Sequence, residues 1–144
     1  MLTIIPLKKI KMPPNGLHLW LSISAHDLPL NSGLVLDTGA SQSIFDSEIM
    51  KNYLSEIKET FESDFASGVN AMIEKTSYAK LNGPIIGAQK CKDLSVGIMS
   101  LEHIQSIYEK FFNLNLCGLI GSDFLEKHKA KIDYKSSNLI LYSD

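Results

Sequence analysis

The chain reads as a single, mainly β domain with two or three short helices, spanning residues 1–144. Three observations predict this. Residues 18–24, His-Leu-Trp-Leu-Ser-Ile-Ser, alternate apolar and polar side chains directly after the turn signal Pro13-Pro14-Asn15-Gly16. Leu34-Val35-Leu36 is a short, continuously apolar run beside Gly33, as expected of a strand buried on both faces. The tail places Lys131-Ile-Asp-Tyr and Leu139-Ile-Leu-Tyr on either side of the turn Lys135-Ser-Ser-Asn138, the pattern of a hairpin.

In chain order, the first forty residues read as strands joined by turns, and the Leu34–Leu36 run stops at Asp37-Thr38-Gly39-Ala40-Ser41, which is small, polar and turn-like. A helix is expected next, opening at Asp46 or Ser47, because Ile49, Met50, Tyr53, Leu54, Ile57 and Phe61 recur at helical spacing. From residue 61 to 99 the pattern breaks into short β-like pieces around Gly68, Asn82-Gly83-Pro84 and Gly87. A second helix is expected over 100–112 with Leu101, Ile104, Ile107, Tyr108 and Phe111 facing inward. Residues 117–121 form a tight apolar strand that runs into a short helix capped by Ser122 or Asp123.

Composition narrows the function. A chain of 144 residues with 44% hydrophobic and 21% charged residues can bury a core without metal or disulfide staples. The net charge of −2 leaves no basic footprint for nucleic acid or anionic lipid, and the cluster Lys8, Lys9 and Lys11 reads as a solvated face. Cys91 and Cys117 lack metal-ligand spacing, and Cys117, inside an apolar run, is expected to pack as a small hydrophobe. His18, His26, His103 and His128 show no paired spacing, so neither a metal nor a cofactor is expected. Ser41 and Ser43 sit in no nucleophile elbow, and no phosphate-binding glycine motif is present. The N-terminal apolar stretch is too short for a signal peptide and no segment reaches membrane-span length. A cytoplasmic location is therefore expected, or a periplasmic or secreted one if a leader has been removed.

Chemistry concentrates in two segments. A carboxylate that directly follows three large apolar residues is costly unless it is hydrogen-bonded or retains its proton. Gly39, two residues on, allows backbone to approach Asp37 so that its amide can donate to the carboxylate, and Thr38 adds a hydroxyl. Asp-Thr-Gly alone would arise by chance in a chain this long roughly 2% of the time. The preceding Leu-Val-Leu, the following Ala-Ser and a second apolar-glycine run, Gly118-Leu119-Ile120-Gly121, sharpen it. Together they resemble the retropepsin-like aspartic peptidases, the family of retroviral proteases and their cellular relatives, over most of residues 17–142.

The resemblance implies an acid-protease β-barrel and aspartic endopeptidase activity. Asp37 is then the catalytic aspartate, Thr38 binds the partner subunit's equivalent loop, Gly39 supports carboxylate and substrate backbone, and Ala40 matches the dimeric branch. Gly118, Leu119, Ile120 and Gly121 form the strand crossing behind the catalytic loop, and Ser67, Gly68, Val69 and Asn70 lie where the family carries its substrate-covering flap. Retroviral members usually follow the second glycine with Arg; Ser122 stands there instead, so their ion pair is absent.

Hydrolysis by carboxylates needs one group to deprotonate water and another to polarise the carbonyl. The chain holds one Asp-Thr-Gly, and Asp123 reads as a helix N-terminal residue. A homodimer acting on a peptide or protein substrate is therefore expected, with Asp37 of each copy around one water and a bell-shaped rate profile in mildly acidic solution. The alternative is the same fold with little or no proteolysis, serving as a dimerisation or peptide-binding module.

Overall fold

The computed structural model describes residues 2–60 and 76–142. Three antiparallel strands gather the two ends of the chain: β1 (Leu2–Pro6) pairs with β13 (Asn138–Tyr142), which pairs in turn with β12 (Lys131–Asp133). The expected C-terminal hairpin is present as β12–β13.

The larger sheet holds the remaining strands. Its centre is built from β3 (Gly16–Ser24), β4 (Ser32–Leu36), β5 (Ile44–Asp46) and β11 (Asn115–Ile120). Every residue of β4 is buried, as its unbroken apolar run requires of a strand covered on both faces. Around this centre lie β2 (Lys8–Met12), β6 (Leu54–Thr60), β7 (Thr76–Leu81), β8 (Ile85–Ile86), β9 (Gln89–Lys90) and β10 (Leu94–Met99). The path runs β6-β7-β10-β5-β11-β4-β3-β8-β9, with β2 paired to β3. Mainly β is thus the observed class, but the described strands follow an open path and no closed barrel is formed among them.

Two apolar clusters hold the sheet. The larger includes Ile5, Leu21, Leu34, Phe45, Leu81, Ile86, Cys117, Ile120 and Leu139, all fully buried, so Cys117 does pack as a small hydrophobe. The smaller lies on the other face of β3, β4 and β11 and is made by Ile10, Trp20, Val35, Tyr108, Leu114 and Leu116. Its lid is α1 (Glu102–Phe112), which ends on Asn113 in the left-handed region (φ 54°), a conformation asparagine tolerates.

Three expectations need correction. The helix expected from Asp46 is replaced by a turn, a single 3-10 turn at Lys51–Tyr53, and strand β6. Its starting signal is real, since the Asp46 carboxylate accepts from the Glu48 and Ile49 amides. Pairing of β6 with β7 then outweighs helical spacing, so Met50 is buried and Ile49, Tyr53 and Leu54 pack on the core without a helix, while Ile57 is exposed.

The second correction concerns α1, whose inward line is Leu101, Gln105, Tyr108 and Phe112. Gln105 donates from Nε2 to the Leu116 carbonyl at 3.0 Å. Ile104, Ile107 and Phe111, one step round the helix, are exposed. A polar residue on the packing line displaced the apparent apolar face. Finally, neither Ser122 nor Asp123 caps α2 (Ser122–Lys127), whose N-cap is Gly121 with no side-chain hydrogen bond.

Candidate active site

Loop 37–43 connects β4 to β5, yet these strands are not neighbours. β11 lies between them, parallel to β4 and antiparallel to β5. The loop must therefore arch over the C-terminal end of β11. The register sets Leu36 opposite Ile120, and the next amide, that of Asp37, donates to the Ile120 carbonyl at 2.8 Å. Asp37 is thus anchored through its main chain to fully buried Ile120 while its side chain emerges into solvent.

Gly118 in β11 and Gly121 just after it explain how the loop sits so close. A Cβ at Gly121 would lie 2.6 Å from the Ala40 carbonyl oxygen, and one at Gly118 would lie 2.7 Å from the Ile44 carbonyl oxygen. Either contact is too short for a real side chain. At the loop itself, the Gly39 amide donates to Asp37 Oδ1 at 3.0 Å, as the spacing of the motif predicts. The Ala40 amide donates to the Asp37 carbonyl at 3.1 Å and closes the turn.

A brace beneath the loop was not legible in the sequence. The Ser122 amide and hydroxyl both donate to the Ala40 carbonyl, at 2.8 and 3.1 Å. Ser43, 1% exposed, accepts from the Gly121 amide at 2.9 Å and donates to Asp123 Oδ1 at 2.7 Å. Asp123 also receives the Ser43 amide at 2.9 Å and Gln42 Nε2 at 3.2 Å. Ser122 therefore supports the loop from within one chain, at the position where an Arg was expected to be absent, and Asp123 is a buttress of the loop as well as a residue of the first turn of α2.

Beside the loop lies a cleft of about 360 Å³. Asp37 and Thr38 line it together with Leu119, so the two motif segments meet at one surface. Its walls come from Leu17, Ile104 and Ile132, with His18 and Tyr134 at polar positions and Tyr108 at the base. Burial pushes the Tyr108 phenol up to about 12. His18 Nδ1 is hydrogen-bonded to that phenol, and the two rings stack with their centroids 5.9 Å apart. Sequence reading did not bring either residue to the site, because both rely on α1 crossing above β3.

Asp37, Thr38, Gly39, Ala40 and residues 118–121 thus converge on one structural unit. The flap residues Ser67, Gly68, Val69 and Asn70 lie outside the described residues; the arms on either side, β6 and β7, pair up to Thr60↔Thr76. Among the described residues no three His, Cys, Asp or Glu side chains gather as a metal site, and no helix is long and apolar enough to cross a membrane.

The sequence matches no family model and no curated protein. Its structure is similar to that of a retropepsin-like aspartic protease from Rickettsia conorii, at 19% identity and a TM-score of 0.51, over 99% of this chain and 91% of that one. The fold is retropepsin-like. The retroviral protease-like domain of Ddi1 from Leishmania major is also similar, with 16% identity and a TM-score of 0.46 over 92% of this chain and 90% of that one. In this retropepsin-like fold, Asp37 occupies the exposed loop above the inserted strand and opens onto the cleft.

Proposed function

We propose that the protein is an aspartic-type endopeptidase in which two copies of the chain bring their Asp37 side chains around one water. The observation that carries this reading is the Asp37 carboxylate itself. It is exposed, is steadied by one backbone amide, and stands on a loop whose main chain is tied to buried β11. Rigid backbone with spare acceptor capacity is what general acid–base chemistry requires of a carboxylate.

A single carboxylate cannot both take a proton from water and give one to the substrate carbonyl. A two-fold contact through the loops supplies the second, with the Thr38 hydroxyl of each copy bonding to the other's loop. Aspartic proteases are the general example of two carboxylates sharing one proton, and that pattern is adopted here. The ionised member takes a proton from water as its oxygen bonds to the scissile carbonyl carbon; the protonated member donates to the carbonyl oxygen. Collapse of the resulting gem-diol breaks the C–N bond and passes a proton to the leaving amine. The extended substrate adds main-chain hydrogen bonds along the cleft in the manner of an extra strand.

The test is cleavage of a peptide library by wild type and by Asp37→Asn, with the association state followed by sedimentation. Cleavage lost in the variant while the dimer persists supports the reading. A strictly monomeric protein that cleaves peptides overturns it, and peptide binding with no cleavage at any pH would establish a binding module instead.

A further inference from the structure

We infer that His18 is a specificity-determining residue that selects a glutamine side chain in the substrate; this rests on the peptidase reading for its biological meaning. β3 and β4 pair with Leu19 opposite Leu36, so the next residues on the two strands are His18 and Asp37. Both line the same cleft. His18 therefore stands beside the reacting position without belonging to the Asp-Thr-Gly motif.

Its hydrogen-bonding role is fixed from below. Tyr108 is 1% exposed, and among the described residues its hydroxyl has one partner, His18 Nδ1. If Nδ1 carried the proton, the buried phenol proton would have no acceptor. The phenol therefore donates, Nδ1 accepts, and the ring proton sits on Nε2, which has no partner among the described residues and can donate to a ligand. Burial favours the neutral phenol and so keeps this donor in place. Trp20, two residues along β3 from His18 and on the same face, also stacks on Tyr108, with centroids 5.5 Å apart, and helps hold the phenol beside the histidine.

The surroundings choose among side chains that can accept. Leu17, Ile104, Leu119 and Ile132 present apolar surface, which suits a stem of several methylene groups. The end of that stem needs a carbonyl-type oxygen to meet Nε2–H. Glutamate would bring a second negative charge next to Asp37, so like-charge repulsion disfavours it. Glutamine supplies the same stem and a neutral acceptor. Methionine matches it in length and shape and lacks the oxygen.

Paired peptides that differ only in glutamine or methionine at one position near the scissile bond test this. Binding is measured by calorimetry on full-length Asp37→Asn protein, and kcat/KM on wild type. A single good hydrogen bond predicts a preference of about tenfold for glutamine. In Asp37→Asn/His18→Phe the ratio of affinities falls to near one, and in Asp37→Asn/Tyr108→Phe it falls part-way, because the ring proton is then no longer held on Nε2. Equal binding of both peptides before any change at His18, a ratio unaffected by His18→Phe, or no binding of either peptide overturns the inference. Failure of the peptidase reading looks different: the glutamine peptide binds selectively and wild type does not cut it.

Discussion

Two aspartates end the buried strands that flank β11, and their fates differ. Asp46, at the end of β5, is 2% exposed; its Oδ2 accepts the Glu48 and Ile49 amides at 3.1 and 2.8 Å, and its Oδ1 accepts the Leu101 amide at 2.8 Å. Asp37, at the end of β4, is exposed and, among the described residues, accepts one amide, that of Gly39. The first carboxylate ties a turn and the start of α1 to the sheet, and its acceptor sites are occupied. The second has a fixed main chain and unused lone pairs. Availability for chemistry therefore depends less on being an Asp after an apolar run than on how much of the carboxylate the fold has already used.

The comparison breaks most decisively at Asp37. Asp37→Asn is expected to lower peptide cleavage by about 10²–10⁴-fold, the contribution of a positioned acid–base group, while leaving thermal stability almost unchanged. A large fall in melting temperature would mean that Asp37 is structural like Asp46. The reciprocal change, Asp46→Ala, strands three backbone donors, one of them the amide of buried Leu101. Urea denaturation should show a loss of about 2–5 kcal/mol, given about 1–3 kcal/mol for each unsatisfied buried group and water access at the exposed Glu48 amide.

Gly121→Ala sharpens the distinction between anchoring and chemistry. The added Cβ has to move the Ala40 carbonyl, 2.6 Å away, and with it the loop carrying Asp37. Displacement by about 1 Å costs on the order of 100-fold in rate, against roughly 1–3 kcal/mol of overpacking strain in stability. Activity should therefore fall much further than stability, a contrast read from kcat/KM beside a denaturation curve. Equal proportional losses would show that the loop tolerates movement.

The Asp37 side of this contrast was legible in sequence, and the Asp46 side was only half so. Asp-Thr-Gly after Leu-Val-Leu and the glycines of 118–121 announce a carboxylate, a close backbone approach and a crossing strand, because each requirement is local. Asp46 announced a cap, correctly, but the helix it should have started lost to cross-strand pairing of β6 with β7, and residue spacing carries no record of a partner strand. Gln105 misled for a related reason: its bond to the Leu116 carbonyl puts a polar residue on the packed line of α1 and leaves Ile104, Ile107 and Phe111 outside. The Ser43–Asp123 brace and the His18–Tyr108 pair join distant positions whose proximity exists only once the chain has folded.

The smallest effect tests the same idea on a cation. His128 Nε2 is buried without a hydrogen-bond partner among the described residues, and the ring packs on Phe124 with centroids 4.4 Å apart. Burial first, then the nearby Lys127 and Lys92 charges, holds its pKa below the ordinary value of 6.5. The unfolded chain therefore binds a proton at this residue more readily than the folded one, so acid favours unfolding. The stability contributed by the neutral ring is present above pH 6.5 and declines as pH falls below it, levelling once the folded-state group also titrates. His128→Phe keeps the aromatic contact and removes the titration, so its melting temperature should fall less than wild type between pH 7 and pH 5. Identical falls would mean that the acid sensitivity arises from other groups.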